Sequence, residues 1–118
     1  YAEGFRDLPE ITPLVMQDDV QHAWHLYVIQ LDLDRLRITR DAFIERLQQQ
    51  QIGCSVHFIP LHLHPYYRST WGYRPEDFPV ASRAFKSMVS LPLYSKMMES
   101  DIHRTIAAVR ELVLEARQ

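Results

Sequence analysis

The stretch His25-Leu26-Tyr27-Val28-Ile29-Gln30-Leu31 decides how the rest of this sequence is read. It is rich in aromatic and β-branched residues, with Leu26 and Val28 on one face and Tyr27, Ile29 and Leu31 on the other, so it predicts a strand buried on much of both faces. After a charged turn from Asp32 to Ile38, Thr39 offers an N-cap, with Asp41 in a first turn whose dipole favours an acid. The helix predicted there has Phe43, Ile44 and Leu47 as its apolar stripe. Gln48 to Gln51 form its wet end, and Gly53 is placed to take the left-handed conformation that stops it. Cys54 to Ile59 then alternates small or polar residues with large ones and ends at Pro60, predicting a second strand.

Leu61 to Glu76 holds aromatics, histidines and prolines in no period, and is expected to be a long structured loop. Loops of that length inside compact domains are more often functional than decorative. Asp77 is expected to cap a short helix with Pro79 near its first turn and Ala81, Ala84, Phe85 and Met88 on its buried side. Met88 to Tyr94 predicts a third strand that Pro92 confines to an edge or terminates. Ser100 is expected to cap a last helix, whose Ile102, Ile106, Val109 and Val113 recur at four, three and four, broadened by Leu112 and Ala116. On the N-terminal side, residues 1–21 carry Pro9, Pro13 and several acids without sustained period and read as a linker. The domain is then 22–118, in the order β, α, β, loop, α, β, α. The fold class expected is α+β, a small and mostly antiparallel sheet with about three helices on one face.

At 118 residues with 47% apolar, the chain is long enough for one domain with a real core and too short for two. Its net charge of −2 has no basic block behind it, which disfavours nucleic acid and anionic membranes as partners. One cysteine, Cys54, cannot form an internal disulfide, and no apolar run reaches transmembrane length, so a soluble, reducing, cytoplasmic setting is expected. The chain opens on Tyr1 rather than Met and is read as processed or cut from something longer.

Functional side chains are densest from His57 to Tyr67. Four readings stand side by side. His57, His62 and His64 could gather on a metal, though no carboxylate or thiolate accompanies them. The rings could simply fill a loop packed back on the sheet. One histidine could work as a lone acid–base group, although no nucleophile or orienting acid stands at suggestive spacing. Finally, His57 and His62 could donate hydrogen bonds from a polar pocket wall, with the tyrosines stacking on an anionic or hydroxylated ligand.

Five phrases favour the last of these. AWHLYVIQL (23–31), ITRDAFIERL (38–47) followed shortly by IG, VHFIPLHLHPYY (56–67), WGY with DFPVAS after it, and SLPLYSKMMESDI (90–102) stand in the order and at the gaps of one family's pattern. The run resembles the C-terminal part of the DegT/DnrJ/EryC1/StrS aminotransferases, pyridoxal phosphate (PLP) dependent sugar aminotransferases of the aspartate-aminotransferase type, fold type I. The resemblance implies a small domain that closes over a cofactor held elsewhere, by a lysine of a large domain that this chain lacks. The implied whole enzyme, a cytoplasmic homodimer, moves an amino group, usually from glutamate, onto a nucleotide-linked keto-sugar. It also implies substrate-side contacts at His57, His62 and Tyr67, with His25 and Arg40 as further candidates. No residue here is expected to be catalytic, to hold the cofactor or to bind a metal. Lys86 and Lys96 read as surface lysines outside the family's lysine context, so the chain alone is expected to be inactive. A lone ligand-binding or interaction module is the alternative. Ser90 and Tyr94 are assigned to packing and strand hydrogen bonding.

Overall fold

A computed structural model describes all 118 residues. Three antiparallel strands, β1 (Ile11–Pro13), β2 (Tyr27–Leu31) and β3 (Met88–Leu91), form one sheet in the order β1-β2-β3. Four helices accompany them: α1 (Arg40–Gln49), α2 (Pro65–Trp71), α3 (Pro79–Ser87) and α4 (Glu99–Ala116). Register pairs Ile29 with Val89 and Tyr27 with Leu91 on one side of β2, and Ile11 with Leu31 on the other. Strand alternation therefore turns Tyr27, Ile29, Leu31, Val89, Leu91 and Ile11 to a single face. That face is buried with Phe43 and Leu47 of α1 and Val109, Leu112 and Val113 of α4, and these residues make one continuous core. The expected α+β class and antiparallel sheet are what the structure shows.

Thr39 caps α1 as its sequence position predicts, its hydroxyl accepting from the Ala42 amide at 3.2 Å. Other expected boundaries move. It is Gln51, at φ 59°, and not Gly53 that turns the chain after α1, with the Ile52 amide bonded to the Leu47 carbonyl. Phe78 rather than Asp77 precedes α3, since the Asp77 carboxylate accepts from the Arg74 amide in a separate 3₁₀ turn, Pro75–Asp77. The α4 cap is Met98 rather than Ser100, its amide donated to Asp101 at 2.9 Å.

Three larger corrections concern whole segments. The predicted strand Cys54–Ile59 shrinks to one antiparallel bridge, Ser55 with Ser90. The ladder cannot extend in either direction. Pro92 has no amide to give on one side, and on the other the Met88 amide is already bonded to Ala84 at the end of α3. The long loop holds α2 and a 3₁₀ turn, Leu61–Leu63; α2 buries none of its residues, so no apolar period announced it. The first part of the supposed linker joins the core. Phe5, Leu8 and Ile11 are buried at a spacing of three, along a segment whose amides bond three and four residues back before β1 joins the sheet.

Two arginine forks hold that N-terminal segment to α4 and its end. Arg110 grips Asp7 at 2.5 and 2.7 Å and the Gly4 carbonyl at 2.9 Å. Arg117 grips the buried Glu10 at 2.6 and 3.0 Å. Gly4 lies so close to α4 that an added Cβ would meet Ile106 Cδ1 at 2.7 Å. Each guanidinium lowers the pKa of its carboxyl: Asp7 falls to about 2, and Glu10 lies below its ordinary value.

Two outcomes are expected in chemical denaturation. Phe43→Ala, at a fully buried position, should lower stability by about 3–5 kcal/mol, while Val80→Ala at an exposed one should change it by less than about 0.5 kcal/mol. Because the carboxyl pKa values are depressed in the folded state, their contribution is present above the ordinary carboxylate range and lost as pH falls through the folded values. The denaturation midpoint should therefore drop on acidification, and Glu10→Gln should make that drop shallower.

Candidate functional site

The segment after α1 builds the candidate site from the Ser55–Ser90 bridge outward. Main-chain bonds of 3.2 and 2.8 Å lock the two serines side by side, and both hydroxyls turn toward His57. Nδ1 of His57 lies 2.9 Å from Ser90 Oγ and 3.2 Å from Ser55 Oγ. Nε2 meets only Ser55 Oγ, at 3.5 Å. His57 is half-buried, with the Phe58 ring edge-on at 4.8 Å.

His62 is placed quite differently. It is buried, stacked on Phe78 at 4.7 Å, with Nε2 2.9 Å from Ser82 Oγ. Ser82 donates its own proton to the Pro75 carbonyl at 2.8 Å and so accepts from His62, which fixes Nε2 as the protonated nitrogen. His62 thus pins the 3₁₀ turn and the stretch around Pro75 onto α3 through its Nε2. His64 is exposed and bonds the Ile59 carbonyl at 3.2 Å. No three His, Cys, Asp or Glu side chains come together in a way that could hold a metal ion.

Tyr67 is half-buried on α2, edge-on to Tyr66 at 5.3 Å, and His25 is exposed just before β2. Arg40, at the start of α1, is largely buried and already engaged. It pairs with Asp41 at 2.6 Å, donates to the Phe85 carbonyl at 3.1 Å and lies 5.2 Å over the Phe85 ring. It helps line an open cleft of about 470 Å³ with Arg37, Ile38, Phe85 and Lys86. No hydrogen bond, ion pair or ring contact joins His57, His62, Tyr67, His25 and Arg40 to one another. His57 is the one of the five whose ring is held by two serines, with Nε2 reached by Ser55 Oγ alone, at the long distance of 3.5 Å. Sequence reasoning missed its partners Ser55 and Ser90. The signal was there in small polar residues facing each other across two apolar stretches, but only pairing could reveal it.

The chain that follows His57 exposes apolar side chains. Phe58 (75% exposed), Ile59, Leu61 (65%), Tyr66 and Trp71 (63%) leave large side chains in water along one continuous stretch of chain. Soluble single domains rarely concentrate so many large apolar groups without a partner for them.

A lysine that carries PLP must be nucleophilic, which burial or neighbouring charge brings about. Lys86 and Lys96 are both exposed, one beside the cleft that Arg37 and Arg40 line and the other on a turn. Burial pushes the Cys54 thiol up to about 11.

A three-stranded antiparallel sheet under two helices, with an unfinished surface beside it, defines a small α+β domain of the kind found in fold type I aminotransferases. The chain belongs to the DegT/DnrJ/EryC1/StrS aminotransferase family, whose model matches residues 1–110. It is 44% identical over 114 residues to the spore coat polysaccharide biosynthesis protein SpsC of Bacillus subtilis, covering 96% of this chain and 29% of that protein. It is 47% identical over 117 residues to the Methanocaldococcus jannaschii protein MJ1066, covering 99% and 30%. The chain therefore spans about 30% of the length of the curated relatives it matches. Among solved structures, DesV of S. venezuelae in complex with a ketimine intermediate superposes with a TM-score of 0.80 at 28% identity, over 95% of this chain and 29% of that one. PseC of Helicobacter pylori, an aminotransferase involved in the biosynthesis of pseudoaminic acid, gives 0.85 at 20%, over 97% and 30%, and so speaks to the fold alone.

Removing Ser82 Oγ leaves His62 Nε2 without its partner and the Pro75 carbonyl with the Phe78 amide alone, at 3.3 Å. Ser82→Ala should cost about 1–3 kcal/mol in chemical denaturation, whereas His64→Ala should cost less than about 0.5 kcal/mol. Equal stability of Ser82→Ala and the wild type would return His62 to the pool of free ligand donors.

Proposed function

We propose that this chain is the small C-terminal domain of a PLP-dependent sugar aminotransferase, contributing one wall of the site that receives the sugar. The observation that carries the reading is the family match over residues 1–110 by a chain only about 30% as long as its curated relatives. The apolar stretch from Phe58 to Trp71 supports it as the surface a larger domain covers. PLP, when bound in the whole enzyme, supplies the electron sink that amino transfer needs, and a lysine outside this chain carries it. His57 faces the sugar as a hydrogen-bonding residue. Tyr67, ten positions further along the chain, and His25, exposed just before β2, are further candidates for that role. Arg40 and His62 act by holding α1 against α3 and the Pro75 turn against α3.

The acceptor in this reading is a keto-sugar carried on a nucleotide, as in the making of surface polysaccharides, and the donor is glutamate. The enzyme works in the cytoplasm as a homodimer, and neither nucleic acid nor membrane is a partner. No helix of this chain is long and apolar enough to cross a membrane.

The test pairs two preparations, this chain and the longer aminotransferase that carries it, each with PLP, glutamate and a nucleotide-linked keto-sugar. The longer protein should form the amino-sugar and 2-oxoglutarate, and the chain alone should form neither and retain no PLP after borohydride reduction. Turnover or borohydride-stable PLP on the isolated chain would contradict the reading, as would a longer protein that transfers no amino group to any keto-sugar.

A further inference from the structure

The Ser55–Ser90 bridge next to His57 carries more than strand pairing. Ser90 is buried, and its main-chain amide and carbonyl are both spent on Ser55. Its hydroxyl therefore has one partner, His57 Nδ1 at 2.9 Å. A buried hydroxyl with an unpaired O–H loses more than one with an unused lone pair, because the donor has a single proton and the oxygen two acceptor sites. The Ser90 O–H accordingly donates, and Nδ1 must offer its lone pair. Neutral imidazole carries one proton, so that proton stands on Nε2. Ser55 does not reverse this, since its hydroxyl is on an exposed residue and can find water instead.

We propose that Ser90 is a positioning residue, which fixes the His57 ring as its Nε2–H tautomer so that the domain presents a hydrogen-bond donor to an oxygen of the substrate. This rests on the reading of His57 as a substrate-side contact and adds what that contact selects: a sugar hydroxyl or carbonyl oxygen that accepts, not a group that donates. The rigid bridge beneath the ring makes the donor direction a property of the fold. Part of the ordering cost of binding is thereby met before the sugar arrives.

The ¹⁵N chemical shifts of the His57 ring decide the matter in the folded wild-type chain. A protonated Nε2 with an acceptor Nδ1 is the expected result, and a protonated Nδ1 in the neutral ring would overturn the proposal whether or not any variant folds. Ser90→Ala should shift the ring toward a mixture of tautomers, and Ser90→Thr, which restores the hydroxyl, should return it; no change in Ser90→Ala would equally overturn it. In the longer aminotransferase, Ser90→Ala should raise KM for the keto-sugar roughly five-fold, with the loss falling on KM more than on kcat. His57→Ala with an unchanged KM there would refute the substrate contact while leaving the tautomer result standing, which separates failure of this inference from failure of the functional reading.

Discussion

One sheet face governs this domain. Tyr27, Ile29 and Leu31 on the central strand cannot be buried by their neighbours alone, because three strands expose a face wider than their own side chains close. Phe43 and Leu47 from α1 and Val109 and Val113 from α4 complete the cover, and β1 completes the edge. The helices must then lie where their stripes meet Ile29 and Val89, and the N-terminal segment must lie where Phe5, Leu8 and Ile11 can reach the same core. Arg110 and Arg117 hold that segment in place from α4 and the residue after it. Partly exposed pairs of this kind contribute modestly to stability, so their main effect is to choose where the segment runs, with burial supplying most of the energy.

The same frame explains why the functional surface lies off the core. β3 ends at Pro92 and the Met88 amide is committed to α3, so the chain from Cys54 pairs once, at Ser55, and then leaves the sheet. It leaves carrying His57 against Ser90 and runs out into Phe58, Ile59 and Leu61, all exposed. A ring held from behind by two serines and followed in the chain by uncovered apolar side chains suits a wall that another structural unit closes. The two histidines of one short phrase thus take opposite roles. His57 stays half-buried against Ser55 and Ser90, and His62 turns inward to stitch the Pro75 turn onto α3.

Much of this was legible beforehand where packing dictates period. β2, α1 and α4 have stripes that only one face can bury, and they stand close to their expected places. Thr39 was readable as a cap because its role is local. The failures share a physical cause. β1 is three residues long and follows turns that bury one residue in three, a period matching neither strand nor ordinary helix. α2 buries nothing, so it left no stripe. The predicted strand from Cys54 failed on hydrogen-bond supply, a property of partners that cannot be seen from the strand itself. The side-chain partners at the candidate site were not legible. Motif resemblance pointed to His57, but the buried engagement of His62 and Arg40, and the roles of Ser55 and Ser90, depend on side chains brought together from 20 to 45 positions apart.

The central claim is that the apolar stretch beside His57 is an internal surface of a larger aminotransferase. Amide hydrogen exchange of Phe58, Ile59, Leu61 and Trp71, compared between this chain alone and the longer protein, tests it most directly. Strong added protection of these amides in the longer protein, with the Ile29 and Val89 amides protected in both, is the predicted result. Equal exchange at Phe58 to Trp71 in the two proteins would contradict the account.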